Sequence, residues 1–370
     1  MKKRILALLC ALALAVSLAG CVSTPDTVGT IGNVEITSGL YLLAQFDAYQ
    51  KAADKASDDQ DASDVKSFLK ATITTDEDSG ETATVSDYVS QETMKNLETF
   101  AAIETRFEEL GGQLTADEES QADSYASQLM DQYGDTYKAN GIGLETVKRF
   151  ERILLKSNDL VTLIYGTDGE TPVSDEELSS YLQSDMVELA YYVVPLYNSS
   201  TYAFADDDQK AEMLSLAQDA VADYTAAAPA DSTSLQMNAF AAAVSPALSG
   251  ICAVLDDTPS STTAQTELLS SSTIDSTFTQ EGSADTIRSL SFGQAAAVQY
   301  SSYAMMIALR VDPLDVSSLD DVRAQVLTDM KSEELQDALE QYGAQLPHNL
   351  STSAMNKMPA KKIVNNSTNS

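Results

Sequence analysis

The chain has 370 residues, with 56 acidic against 22 basic side chains and a formal net charge of -34. A surface this acidic repels phosphate backbones, which argues against nucleic acid as a partner. An apolar content of 44% is too high for a wholly disordered acidic chain, and the length suits two domains.

In chain order, Lys2, Lys3 and Arg4 precede an apolar run from Ile5 to Leu18 that is short for a membrane span. It ends in Leu18-Ala19-Gly20-Cys21, which resembles a bacterial lipobox. That resemblance implies a signal peptide over residues 1–20 and a diacylglyceryl group on Cys21. It also implies residence on the outer face of the bacterial cytoplasmic membrane, because two acyl chains anchor far more firmly than one. Cleavage would remove three cations and no acid, along with Cys10. Cys252 is then the one thiol left, so no internal disulfide is expected. Within Gly-Ile-Cys-Ala-Val-Leu, Cys252 reads as a small core residue rather than a nucleophile.

Residues 21–27 read as a polar tether. Val28 to Ile36 alternates like two short strands turning at Gly32-Asn33, and Thr37 or Ser38 can cap a helix toward Ala53. Residues 54–84, rich in Asp, Ser and Thr, read as an exposed insertion around an amphipathic piece at Val65–Leu69. Met94, Leu97, Ala101, Phe107 and Leu110 share a helical face that Gly111-Gly112 stops. Thr115 with Glu118 makes a capping box, followed by Ala122, Tyr125, Ala126, Leu129, Met130 and Tyr133 on one face, which Gly134 is expected to end. A further helix from Leu144 carries Val147, Phe150, Leu154, Val161 and Ile164. Ser174 and Glu177 form a second capping box.

Val187–Leu196 has apolar residues on both faces, as a strand buried on two sides does, and Pro195 should end it. Ala304–Val311 has the same character and is expected to pair with it. Asp206, Asp207 and Asp208 open a helix through Tyr224. The three aspartates lack the glycine and the later glutamate of a calcium loop, so no metal is expected there. Residues 257–285, rich in Ser and Thr, read as a long surface loop. Thr286–Phe292 reads as a short helical turn, Ala297–Tyr300 as a small strand, and Ser318 caps a last helix to about Tyr342. The tail from Asn356 carries Lys357, Lys361 and Lys362 and no acid, and is expected to fray.

The order of these parts resembles the extracytoplasmic foldases of the SurA/PrsA type. The likeness lies in the lipobox, in Val28-Gly-Thr-Ile-Gly-Asn-Val-Glu-Ile-Thr37 before a helix, and in Tyr165-Gly-Thr-Asp-Gly-Glu-Thr-Pro-Val-Ser-Asp-Glu-Glu-Leu178. It continues in Ser289-Leu-Ser-Phe-Gly293 and in Ser302-Tyr-Ala-Met-Met-Ile307. The resemblance implies an α+β fold: a helical chaperone domain from both ends of the chain, with a parvulin-like domain inserted. The boundaries are residues 28–172 for the N-terminal helical part, 173–312 for the parvulin-like domain, 313–346 for the returning helix and 347–370 for the tail.

Catalytic parvulins carry two histidines, and the resemblance places Tyr191 and Ala304 at those positions. The chain's sole histidine is His348, in the C-terminal arm. Cys252 or Asp256 can be offered as the third group of such a site, although neither lies in a matching motif. Prolyl isomerisation must lower a barrier of about 20 kcal/mol by cradling a twisted amide with oriented polar groups. Ala304 has no polar atom to offer, so catalysis is expected to be weak or absent. With one histidine a Ser-His-Asp triad is not expected, nor is a His/Cys zinc cluster; the sequence has no Gly-x-x-x-x-Gly-Lys nucleotide loop, and no cofactor is expected.

The expected function is membrane-anchored chaperoning of unfolded or partly folded exported polypeptides. Met130, Met186, Met305 and Met306, with Met213, are the candidate adaptable contacts. Two alternatives stay open: an active peptidyl-prolyl isomerase, and an adaptor lipoprotein that binds one folded envelope partner. Dimerisation is also left open.

Overall fold

The computed structural model describes residues 24–57, 59–76, 79–227 and 232–365; the lipobox and Cys21 lie outside the described residues. The fold is α+β, in two units. One unit is built from the chain up to Ile164 and again from Lys331 onward; the other, Tyr165–Met330, is inserted between those segments.

The first unit opens with β1 (Thr27–Ile31) and β2 (Val34–Thr37), an antiparallel hairpin. Gly32, at φ +57°, sits at its turn. Thr37 accepts from the backbone N–H of Leu40 and so caps α1 (Ser38–Asp54), as its position before the apolar run suggests. The stretch expected to be an exposed insertion is ordered instead. It forms α2 (Val65–Phe68) and a hairpin of β3 (Thr72–Asp76) with β4 (Glu81–Thr84). Val65, Phe68, Leu69 and Ile73 are buried with Tyr49 of α1, whose ring meets Phe68 edge-on at 5.7 Å. Val65, Phe68 and Leu69 follow the expected amphipathic spacing, whereas Ile73 sits on a short strand among polar neighbours and no periodicity reveals it.

Next come α3 (Val85–Glu109), α4 (Ala116–Ala139) and α5 (Leu144–Tyr165). The Thr115–Glu118 capping box is formed. Gly134 does not end α4: the helix continues to Ala139, and the outer part of the expected face, Tyr125 and Tyr133, remains half exposed. Helices α4 and α5 are tied by Asp123, which pairs with Lys148 at 3.1 Å and Arg152 at 2.7 Å.

In the inserted unit, α6 (Asp175–Ser184), started by the Ser174–Glu177 capping box, leads into β5 (Val187–Pro195). Then follow α7 (Asp207–Ala226), α8 (Thr233–Ala253), β6 (Gln265–Leu269), α9 (Ser271–Thr277), α10 (Ser283–Ser289), β7 (Ala295–Gln299), β8 (Ala304–Val311) and α11 (Pro313–Val316). The sheet is antiparallel, in the order β6-β5-β8-β7. Helix α8 was not expected; it contains Pro246, which cannot donate a backbone hydrogen bond and reads as a breaker. Its length and composition would also suit a membrane span, yet Phe240, Val244, Leu248 and Ile251 form a stripe buried in the core. The supposed loop 257–285 contains β6, α9 and the start of α10. Ser270 caps α9, and β6 supplies an edge strand whose exposed side chains are polar.

Helix α12 (Leu319–Gln345) starts in the inserted unit, where Arg323 pairs with Asp175 at 2.7 Å, and ends in the first. Beyond it β9 (His348–Leu350) pairs with β1, so that β1 is the middle strand of three. At Gly29 a Cβ would meet the Asn349 carbonyl oxygen at 2.1 Å, and φ is +130°, so only glycine allows this approach. Within the described residues, which end at 365, the tail does not fray as expected. After α13 (Thr352–Met355) it makes a 3-10 turn at Ala360–Lys362 with Met358 buried, and Asn140 exchanges two hydrogen bonds with the Val364 backbone, at 2.8 and 2.9 Å.

Candidate functional site

Strands β5 and β8 pair as expected, with Tyr191 opposite Ala308, Val193 opposite Met306 and Pro195 opposite Ala304. Side chains alternate between the two faces of a sheet, so this register sorts every candidate. Ala190, Tyr192 and Val194 of β5 and Met305, Ile307 and Leu309 of β8 pack with Met213, Ala217 and Tyr224 of α7 and Phe240, Val244 and Cys252 of α8. Leu189, Tyr191, Met306 and Ala308 lie on the other face, with Ile274, Phe278 and Ile287 of α9, the segment after it and α10.

Tyr191 and Ala304 therefore share a face, four residues apart along the ladder with the Val193–Met306 pair between them. The Tyr191 hydroxyl donates to Glu267 Oε2 of β6 at 2.8 Å. Burial, and then the Glu267 carboxylate, push its pKa up to about 12. With its proton committed to Glu267, this hydroxyl is a poor donor to a substrate amide. Cys252 lies on the opposite face, and burial raises its thiol pKa, with Asp257 adding to the effect. It cannot complete a site with Tyr191. Asp256 follows α8 at φ +52°, and its carbonyl accepts from Asn198. His348 lies in the first unit, 3.4 Å from Glu98. The candidate third groups are thus not brought to Tyr191. Among the described residues no cluster of His, Cys, Asp or Glu is placed to hold a metal.

Four of the five methionine assignments need correction. Met186, Met213, Met305 and Met306 are buried, and the last three belong to the two cores flanking the sheet. Their thioethers fill irregular core space and offer nothing to a partner. Met130 is half-buried, packed beside Leu43 and Phe46 of α1.

Sequence reasoning missed the exposed aromatic rim where β5 leaves the sheet. Tyr202, Phe204 and Tyr303 are 74, 64 and 57% exposed. The Tyr197 ring lies 6.4 Å from Tyr202, nearly parallel at 18°, and 5.9 Å from Phe204. The loop is built rather than slack. Asn198 Oδ1 accepts from the N–H groups of Ser200 and Thr201 at 3.0 and 2.9 Å, and Asn198 Nδ2 donates to the Leu255 carbonyl at 2.8 Å. Tyr202 itself sits at φ +58°, a conformation uncommon for a bulky residue. A recess of about 140 Å³ opens beside it, lined by Pro195, Tyr197, Leu255, Asp257 and Pro259. Asp257 is held there by Ser199, whose N–H donates to it at 2.6 Å, and these bonds lower its pKa. The available signal was three aromatics within eight residues of a loop directly after a buried strand.

Two groups on the sheet are also unusual. Arg310, half-buried and without a carboxylate partner among the described residues, donates to the carbonyls of Leu290 at 2.7 Å and Arg288 at 3.3 Å, at the end of α10, and stacks over Phe292. A cation at a helix C-terminus is favourable, so it acts as a clamp. Glu188, 4% exposed, makes no side-chain hydrogen bond or ion pair among the described residues. Burial, then Glu267, raise its pKa to about 7.

No protein-family model matches the chain, and no curated protein matches it. Among solved structures it is similar to the crystal structure of foldase protein PrsA from Streptococcus pneumoniae str. Canada MDR_19A. The match has 13% identity, covers 76% of this chain and 97% of that one, and has a TM-score of 0.35.

Proposed function

We propose that this chain is a chaperone of the bacterial cell envelope, held to the membrane through Cys21, which binds non-native exported polypeptides on the aromatic rim of its inserted unit. The observation that carries this reading is the rim itself. Large exposed aromatics grouped on a hydrogen-bonded loop, beside a recess of side-chain size, form an interaction surface. The acidic chain around it favours basic segments and keeps a loaded complex soluble. The sheet is parvulin-like in this reading, but its Tyr191 hydroxyl is spent on Glu267 and Ala304 adds no donor. Binding without isomerase turnover follows.

The test is aggregation of a chemically unfolded client. The wild-type chain is expected to suppress it at near-stoichiometric amounts. Tyr202→Ser with Phe204→Ser should raise the amount needed about tenfold or more, the usual cost of removing central aromatic anchors. Tyr191→Phe should change nothing. Unimpaired suppression by the double variant would remove the rim from the mechanism. A proline-peptide isomerisation rate that Tyr191→Phe abolishes would instead make the chain an isomerase.

A further inference from the structure

Most described cations of this acidic protein are ion-paired: Lys95 with Glu340, Lys148 and Arg152 with Asp123, and Arg323 with Asp175 are examples. Lys357, Lys361 and Lys362 depart from this. They are exposed, residues 341–370 contain no acid, and among the described residues none of the three has a carboxylate partner. Nor do they lie on a loose tail. Met358 between them is buried, Ile363 packs into the core of the first unit, and Lys362 Nζ donates to the Lys357 carbonyl at 2.9 Å.

What lies beside these lysines is the start of the described chain. A recess of about 430 Å³ is lined by Thr24, Leu42, Asn140, Lys357, Met358 and Lys362, so it has an apolar floor and a cationic rim. The entry of the chain is fixed there, because Ser38 donates its N–H to the Asp26 carbonyl at 3.1 Å and its hydroxyl to the Pro25 carbonyl. Cys21 is three residues before Thr24, a span of at most roughly 11 Å. A lipid on Cys21 would bring this recess to the level of the phospholipid headgroups. Acids on the neighbouring segment are already bonded locally: Asp61 accepts from Ser63, and Asp64 from the N–H of Ser67 that opens α2.

We propose that the face formed by Thr24, Lys357 and Lys362, with Lys361 on the same exposed turn, docks on anionic phospholipid headgroups and so sets the orientation of the first unit on the membrane. This rests on the reading of Cys21 as the lipid anchor. The occupant follows from charge complementarity and reach. The three lysines are a local positive site on a chain that the bilayer otherwise repels. Each lysine near an anionic surface strengthens attachment about fivefold, too little to recruit the protein alone but enough to orient a tethered one.

The experiment couples the mature chain through the Cys21 thiol to a maleimide-bearing lipid in vesicles; Cys252 is buried and does not compete. Acetylation of each lysine by a water-soluble reagent is followed by mass spectrometry, on phosphatidylcholine vesicles with and without phosphatidylglycerol. Lys357, Lys361 and Lys362 are expected to react about threefold or more slowly on the anionic vesicles, given the attraction per lysine. Lys51 and Lys95 of the same unit should be unchanged, and added salt should erase the difference. In Lys361→Gln with Lys362→Gln the protection of Lys357 should fall. Equal rates on both vesicles, or a uniform slowing of all lysines, would overturn the proposal. The mass of the native N-terminal peptide reads the anchor separately. An unlipidated Cys21 would sink the anchoring reading and leave the vesicle result to decide the face.

Discussion

Phe240→Ala is expected to destabilise the inserted unit by about 4 kcal/mol. Phe240 is fully buried on α8, with its ring 5.8 Å from Tyr192 of β5 and 5.6 Å from Tyr224 of α7, the latter edge-on at 87°. It joins both helices to the sheet. Truncating a buried phenylalanine costs the transfer energy of the ring plus the cavity left behind, about 3–5 kcal/mol, and here two aromatic contacts go with it. Tyr224 also donates to the Gly293 carbonyl at 2.8 Å, which holds one wall in place and limits collapse into the void. The measurement is denaturant unfolding followed by segment-resolved hydrogen exchange. Amides within Tyr165–Met330 should lose protection, while those of β1, β2 and β9 keep it. Leu235→Ala, on the exposed side of the same helix, should stay within about 0.5 kcal/mol of wild type. A loss below about 2 kcal/mol for Phe240→Ala would mean that the ring does not bind helices to sheet.

The parts that could be read from sequence are those where one local pattern decides. Val187–Pro195 and Ala304–Val311 are apolar on both faces, which only a central strand with a covered sheet on either side tolerates, so their pairing follows. The capping boxes at Thr115 and Ser174 are legible because cap and N3 residue are three apart. What escaped depends on partners far away in sequence. Strand β6 looks like loop because, at a sheet edge, its Gln, Thr and Glu side chains face water, and it becomes a strand only through its register with β5. Helix α8 carries a proline that tertiary packing overrides. Strand β9 is three residues long and exists only because Gly29 lets it approach. For the candidate site the limit was chemical. A methionine that fills a core and one that meets a client have the same spacing, and register sent Met305 to one core and Met306 to the other. The choice of Tyr191 could not foresee its hydrogen-bond partner, Glu267, which is 76 residues away.

Glu188 makes the stability of that sheet depend on pH in a direction opposite to most carboxylates. It is buried at the start of β5 opposite Val311 and Leu268, and among the described residues its carboxyl gains neither a cation nor a donor. The charged form is therefore penalised by lost hydration, and the nearby Glu267 charge adds to the cost, taking the pKa from 4.5 to about 7. The folded state then holds the proton more tightly than the unfolded chain does. This group's favourable contribution is present below the unfolded value and is lost as pH rises through the folded one. At about 1.4 kcal/mol per pKa unit the ceiling is roughly 3 kcal/mol, and relaxation around the charge brings the expected penalty to about 2 kcal/mol. Glu188→Gln keeps the shape and removes the ionisation. It should raise the unfolding free energy at about pH 8 by about 2 kcal/mol, and leave it nearly unchanged at about pH 4, where wild-type Glu188 is protonated in the fold. Denaturant midpoints measured across that range should converge toward acid and diverge toward base. An equal difference at both ends would mean that the substitution acts through packing; no difference at the basic end would mean that water or a cation reaches the carboxylate after all.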